Sequence, residues 1–169
     1  ILFILFPSCD DSLTEAEGNI NEFIYPYLEF ELSDTLTYYT ATVVEGADLS
    51  TVRIPGEYHT DFGTMPVGEF AGFANPDDAA GLKELILDHN VQRVKDNALD
   101  YATNLETVSH VGESEEKEWA YLPKMSKKGH HFIGWKSSDV YIWQIVDGEY
   151  KQITFTIDPE SSEAVPVFV

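Results

Sequence analysis

Residues 82–111 read LKELILDHNVQRVKDNALDYATNLETVSHV. The stretch opens L-x-x-L-x-L at Leu82, Leu85 and Leu87, and restarts as L-x-x-V at Leu105 and Val108. The interval between Leu82 and Leu105 falls within a period of roughly 20–29 residues, the mark of a repeat made of one short strand, a turn and a return segment. A single unit of this kind cannot bury its apolar face alone and has to stack on a neighbouring copy. Between the two openings, Val91 and Val94 form a second short extended run. In Asp96 to Tyr101, Asp96 is placed to cap one helical turn, with Ala98 and Leu99 as its inward anchors. Leu85, Leu87, Val94, Leu99 and Val108 are all expected to point inward. Stacked repeats offer a binding face and need no catalytic centre.

Upstream, Leu49 to Pro55 (LSTVRIP) supplies an earlier L-x-x-V-x-I strand, which Pro55 ends because proline cannot donate to a sheet ladder. The interval from Leu49 to Leu82 is longer than the next one. The surplus falls in Glu57 to Met65 and in Asn75 to Ala80, both rich in turn residues and expected to be loops. Before them, Leu28, Phe30 and Leu32 alternate with Glu29 and Glu31, a half-buried strand pattern. A turn at Ser33-Asp34 and a second strand from Leu36 to Val44 complete a hairpin that would cap the first repeat. Residues 10–24, DDSLTEAEGNINEFI, read as an acidic tether with room for a short helix around Leu13 to Glu17.

The order of these residues resembles the BspA-like leucine-rich repeat of bacterial surface antigens. That repeat runs L-x-x-V-x-I-P, then V-x-x-I, then an aromatic after Ala, then a small turn before the next Leu. LKELILDHNVQRVKDNALDYATNLETV follows it, with Leu99 where the family has Phe, and STVRIPGEYHTDFGTMPVGEFAGFA resembles a leading copy. The resemblance covers about Thr37 to Val111. It implies a mainly β fold in which residues 25–112 are an N-terminal cap and a short leucine-rich-repeat solenoid, each strand followed by an irregular or short helical return.

Glu113 to Glu118, ESEEKE, is a charged stretch expected to separate two modules. Beyond it, Leu122-Pro123 and Lys128-Gly129-His130-His131-Phe132-Ile133-Gly134-Trp135 resemble the Listeria–Bacteroides (internalin B-type) repeat, with His130 where that family has Tyr. Ala164 to Val169 fits its closing strand, and Thr107 to Val111, shared with the repeat edge, is the candidate opening strand. Val140 to Val146 and Tyr150 to Ile157 flank Asp147-Gly148, a strong short-range hairpin signal. Residues 113–169 are thus expected to form a small β-grasp-like module held by Phe132, Trp135, Trp143 and Phe155.

With 169 residues, 43% hydrophobic and 13% aromatic, the chain has material for one large packed domain or two small ones. Its net charge of −20, with no Lys or Arg before Arg53, repels phosphate backbones and makes nucleic acid a poor partner. The same acidity also serves simple solubility. Cys9 is the single cysteine, so no internal disulfide forms. Its setting, ILFILFPSCDDS, is too short an apolar run to span a bilayer and looks like the end of a secretory signal. It resembles a bacterial lipoprotein signal, although Phe6 and Pro7 depart from the usual residues. Asp10 and Asp11 resemble the surface-export signal of Bacteroidetes lipoproteins. Residues 1–9 are therefore expected to be a signal remnant, Cys9 the lipidated residue that anchors the chain to the membrane, and the sequence a fragment at its N-terminus.

No residue set points to catalysis. His130 and His131 are adjacent and, in an extended chain, face opposite ways, so with His110 and Asp139 elsewhere they make a poor metal set. G-x-S-x-G and phosphate loops are absent from the sequence. Asn75, Asp77 and Asp78 match no EF-hand spacing. No metal and no cofactor is expected. The better candidates are the outward strand positions Thr51, Arg53, Glu84, Ile86, Thr107 and Ser109, which stacked copies would align on one face. The resemblance implies a non-enzymatic, outer-membrane surface lipoprotein for adhesion or recognition of a host or neighbouring-cell protein. The alternative is a glycan-binding component of a surface nutrient-capture system, with Tyr58, Tyr101 and Trp119 as stacking platforms.

Overall fold

The computed structural model of the protein describes residues 21, 24–111, 118–155 and 162–169. Cys9, nearly all of the acidic tether and most of the charged stretch lie outside these. Alternating Leu28 and Phe30 build β1 (Leu28–Leu32), which pairs antiparallel with β2 (Tyr39–Val43). The second strand starts later than expected. Leu36 takes a positive φ of 60°, and the hydroxyls of Ser33, Thr35 and Thr37 bond to one another in the turn.

The chain then winds in coils. β3 (Thr51–Ile54) ends at Pro55 and is followed by β4 (Glu57–Thr60) and the long β5 (Gly63–Phe73). This corrects the sequence reading: Glu57 to Met65 is an antiparallel hairpin, with Glu57 opposite Pro66 and Thr60 opposite Gly63. Tyr58-His59-Thr60 favours a strand, and the Asp61-Phe62-Gly63 turn closes it. Asn75 to Ala80 does form a turn, the short 3-10 helix Pro76–Gly81, capped by the Asn75 side chain, which accepts from the Asp77 N–H. β6 (Glu84–Asp88), β7 (Arg93–Val94) and β8 (Thr107–Val111) complete the repeats.

Two parallel ladders result. The front ladder stacks β3, β6 and β8 in register, Thr51 beside Glu84 beside Thr107. The return ladder stacks β2, β5 and β7 and ends in a single parallel bridge from Arg93 to Tyr121. Their inward residues meet in one core. Val52, Leu85, Leu87 and Val108 come from the front, and Ala41, Val67, Phe70 and Val94 from the return. All five residues expected to point inward are fully buried. Between the ladders, Asp96 to Tyr101 is a run of turns and not a helical turn. Asn97 has a φ of 72°, and Asp96 does not cap but accepts a hydrogen bond from Tyr121. Ala98 and Leu99 are its buried anchors as expected. Gly72, with φ 102°, lets β5 run close over this turn, since a Cβ there would sit 2.9 Å from the Ala98 Cα.

The C-terminal strands are β9 (Phe132–Ser137), β10 (Val140–Val146), β11 (Glu149–Gln152) and β12 (Glu163–Phe168). Asp147 and Gly148 both have positive φ, 53° and 82°, which is the geometry their hairpin needs. β12 inserts antiparallel between β9 and β8, so one seven-stranded sheet runs β11-β10-β9-β12-β8-β6-β3. The two expected modules thus share this sheet. Trp135 is completely buried and donates to the Pro123 carbonyl at 2.9 Å. Its neighbour Gly134 leaves room for β10, because a Cβ there would collide with the Trp143 carbonyl. Phe155, expected in the core, is 56% exposed. Strand pairing ends at Gln152, and the Phe155 carbonyl accepts from the Trp119 N–H.

Candidate functional site

The front ladder presents two outward rows. Thr51, Glu84 and Thr107 form one; Arg53, Ile86 and Ser109 form the other. The six positions chosen from the sequence are therefore brought together, but unequally. Thr51 and Arg53 are exposed, while Glu84, Ile86 and Thr107 are half-buried. Ser109 is a correction: it is only 8% exposed, because its short side chain sits between β6 and the docked β12, where Glu163 is its direct partner. Arg53 is held in place by Asp88, with an Nη2–Oδ1 distance of 2.6 Å, and Asp88 also accepts from the Gly56 N–H at 3.3 Å. Past β8 the same face continues through Glu163 and Val165 of β12. Val165 stands opposite Lys136 of β9, whose ammonium lies 5.2 Å from the centre of the Tyr141 ring.

The return ladder carries a row that sequence reasoning did not find. Thr40, Glu69, Arg93 and Tyr121 are register partners on four successive coils. Their side chains form a relay. The Thr40 hydroxyl lies 3.4 Å from Glu69 Oε1, and Glu69 Oε2 lies 3.5 Å from Arg93 Nε. The Arg93 guanidinium covers the Tyr121 ring at 4.5 Å, and Tyr121 donates to Asp96 at 2.5 Å. Burial, the hydrogen bond to Asp96 and that carboxylate's charge hold the Tyr121 phenol up at about 12, against a smaller opposing pull from Arg93. It therefore remains a donor at any physiological pH. Beside this row lies an open groove of about 510 Å³, lined among others by Tyr38, Gly68, Asn90 and Gln92. The only sequence signal was the pair Val91 and Val94. Their inward placement leaves the two polar residues between them, Gln92 and Arg93, on the outside.

The three aromatic platforms suggested by the sequence fall in different environments. Trp119 is buried at 4% exposure, its ring 5.9 Å from that of His110, so it is a core residue. Tyr58 packs against Tyr39 and Phe30, with ring centres 4.1 and 4.8 Å away. Tyr101 is 55% exposed. Among the described residues no group of three His, Cys, Asp or Glu side chains converges on a point that could hold a metal ion. His130 is exposed, and Asp78 accepts from the Gly46 N–H at 2.8 Å, a structural contact within the loops.

No family model matches the chain, and no curated protein matches it. It is similar to solved structures of three bacterial proteins. A leucine rich cell surface protein from Faecalibacterium prausnitzii A2-165 is 17% identical with a TM-score of 0.42, the likeness covering 50% of this chain and 22% of that one. A leucine-rich repeat protein from Bacteroides ovatus ATCC 8483 is 13% identical with a TM-score of 0.41, covering 49% and 22%. The T. pallidum Leucine Rich Repeat protein is 20% identical with a TM-score of 0.40, covering 50% and 36%. In each case this chain spans well under half the length of the other protein.

Proposed function

We propose that the chain is a non-enzymatic recognition protein of the bacterial cell surface, anchored in the outer membrane by a lipid on Cys9, that adheres to a host or neighbouring-cell protein. The observation that supports this best is the open outer face of the front ladder, which β12 extends, its first two residues paired with β8 and the rest with β9, into β9 and β10. Seven strands at about 4.8 Å spacing make a surface roughly 30 Å across. That is on the scale of a protein interface, about 800 Å² per partner. Ile86 lies beside Arg53 on a face that carries charges of both signs, Arg53 and Lys136 against Glu84, Asp88 and Glu163. Interspersed charges set register and exclude wrong partners in protein recognition.

The test is adhesion of the labelled protein to epithelial or bacterial cells before and after their surface proteins are removed with protease. Protease treatment and Ile86→Arg should each abolish binding. Binding that survives both excludes a protein partner at this face. For the anchor, acyl chains act in combination: one gives marginal attachment and two or more give stable attachment. Cys9→Ala should move the chain from the membrane to the soluble fraction, and an unchanged distribution rules out Cys9.

A further inference from the structure

The groove on the return ladder has a chemistry different from that of the front face. Its charges are already matched in part: Glu69 faces Arg93 at 3.5 Å, and Arg93 also faces Asp96 at 3.8 Å. An anion arriving there meets two carboxylates as well as the guanidinium, in a chain of net charge −20. A cation must displace Arg93 from Glu69 and from the Tyr121 ring. What the site offers is a side-by-side donor and acceptor, the guanidinium and the carboxylate. Around them stand neutral hydrogen-bonding groups, the Gln92 amide and the amide of Asn90, which donates to the Gly56 carbonyl at 2.9 Å and keeps its oxygen as an acceptor. A hydroxyl both donates and accepts, and a pair of neighbouring hydroxyls uses such a donor–acceptor set in full. The Tyr38 ring lies against Gly68, so close that a Cβ at Gly68 would be 2.9 Å from its Cγ, and it gives the groove an aromatic wall for C–H groups. The volume, about 510 Å³, lies within the roughly 300–1,000 Å³ of small-molecule sites.

We propose that this groove, bounded by Tyr38, Glu69, Gln92 and Arg93, is a binding site for a neutral saccharide, separate from the protein-docking front face. The backbone prepares it. The Gln92 N–H donates to the Gly68 carbonyl at 2.9 Å, and the Gln92 carbonyl accepts from Tyr121 at 2.8 Å. The exposed Gln92 side chain is thereby fixed at its root at the groove wall. Sugar hydroxyls bridge Glu69 and Arg93 and bond to the Gln92 amide, while the ring's C–H face lies on Tyr38.

The experiment probes the full chain with an array of immobilised neutral, sialylated and amino-sugar oligosaccharides. It then titrates the free form of each neutral sugar that binds. Neutral sugars should bind and the other two classes should not. Gln92→Ala should weaken binding roughly tenfold, the effect of one good hydrogen bond. Because the ladder uses only the Gln92 backbone, that variant should keep the parent's thermal midpoint. Tyr38→Ala should abolish binding, and Gln92→Ala carries the test should Tyr38→Ala fail to fold. The front-face variant Ile86→Arg should bind sugar as the parent does, so that failure of the protein-docking reading and failure of this one are distinguishable. No binding to neutral sugars, a preference for charged ones, or binding that Gln92→Ala leaves intact overturns the proposal.

Discussion

The front and return ladders are wound from the same coils, yet they are held together in different ways. The front ladder keeps its register over three strands and gains further strands from the C-terminal segment, until seven are hydrogen-bonded side by side. The return ladder thins as it goes, from five residue pairs between β2 and β5 to two between β5 and β7 to one bridge at Tyr121. The pairing of β2 with β5 is also broken by two register shifts. The relay of Thr40, Glu69, Arg93, Tyr121 and Asp96 runs along the whole ladder, and toward the thin end, from Glu69 through Arg93 to Tyr121, side chains join coils that few main-chain pairs connect. A continuous ladder makes a broad surface. An interrupted one leaves space between coils, and the groove lies there.

The largest effect should come from Trp135→Ala. The indole is fully buried, and β9 lies between β10 and β12, with β12 joining it to the repeats. An aromatic-to-alanine change in a core costs about 3–5 kcal/mol, a large share of the roughly 5–15 kcal/mol that holds a domain. Because β12 bonds to both β9 and β8, the repeats and the C-terminal strands should melt together at a lowered midpoint. Two separate calorimetric transitions, with that of the repeats unmoved, would break the picture of one front sheet.

Next comes Leu85→Ala, a fully buried rung of the front ladder, expected to cost about 2–5 kcal/mol. Glu84→Ala, one position away on the outer face, should stay within about 0.5 kcal/mol. Denaturant midpoints of the two variants measure the difference. Equal shifts mean that the inward and outward assignments of β6 are wrong.

The contrast between ladders also explains what was legible in the sequence. Leu85, Leu87 and Val108 announce the front strands because strands of four or five residues show period-two alternation. Asp147-Gly148 and the Gly134-Trp135 pair announce their hairpin and core positions through local chemistry. A two-residue strand has no period to detect, so only Val91 and Val94 hinted at the return ladder. The row through Thr40, Glu69, Arg93 and Tyr121 depends on coils of unequal length coming into register. The burial of Ser109 depends on β12, more than fifty positions further along the chain. In the sequence the β4–β5 hairpin reads as a loop because its turn residues outweigh the short β-favouring run Tyr58 to Thr60.

Alkaline pH should separate the ladders more gently. The Tyr121 phenol is raised from 10.0 to about 12 in the folded chain, so the fold favours its neutral form. Its contribution to stability is complete below pH 10 and is lost as the pH rises through about 12. Burial also raises Tyr25 and Tyr150, which contribute with the same sign. Urea midpoints of the parent should therefore fall across this window, and Tyr121→Phe should lose part of that pH dependence. An identical alkaline profile in Tyr121→Phe would remove Tyr121 from the account.

The smallest effect is expected where a side chain decorates a ladder that the backbone already holds. Arg53 and Asp88 make the shortest ion pair described, 2.6 Å, but the Arg53 side chain is 49% exposed. Water screens such a pair, and its worth is about 0–1 kcal/mol. β3 keeps its four main-chain register partners on β6 whether or not the guanidinium is present. A double-mutant cycle with Arg53→Met and Asp88→Asn should give a coupling of that size, shrinking in 1 M salt, where the screening length is about 3 Å. Amide exchange in β3 and β6 should hardly change in Arg53→Met, whereas in Arg93→Met the amides of Val94 and Tyr121 should exchange faster. These two amides close the narrowest part of the return ladder, the Val94 N–H on the Tyr121 carbonyl and the Tyr121 N–H on the Gln92 carbonyl. If removing Arg53 loosened the front as much as removing Arg93 loosened the return, side chains would be stitching both ladders, and the distinction between them would fail.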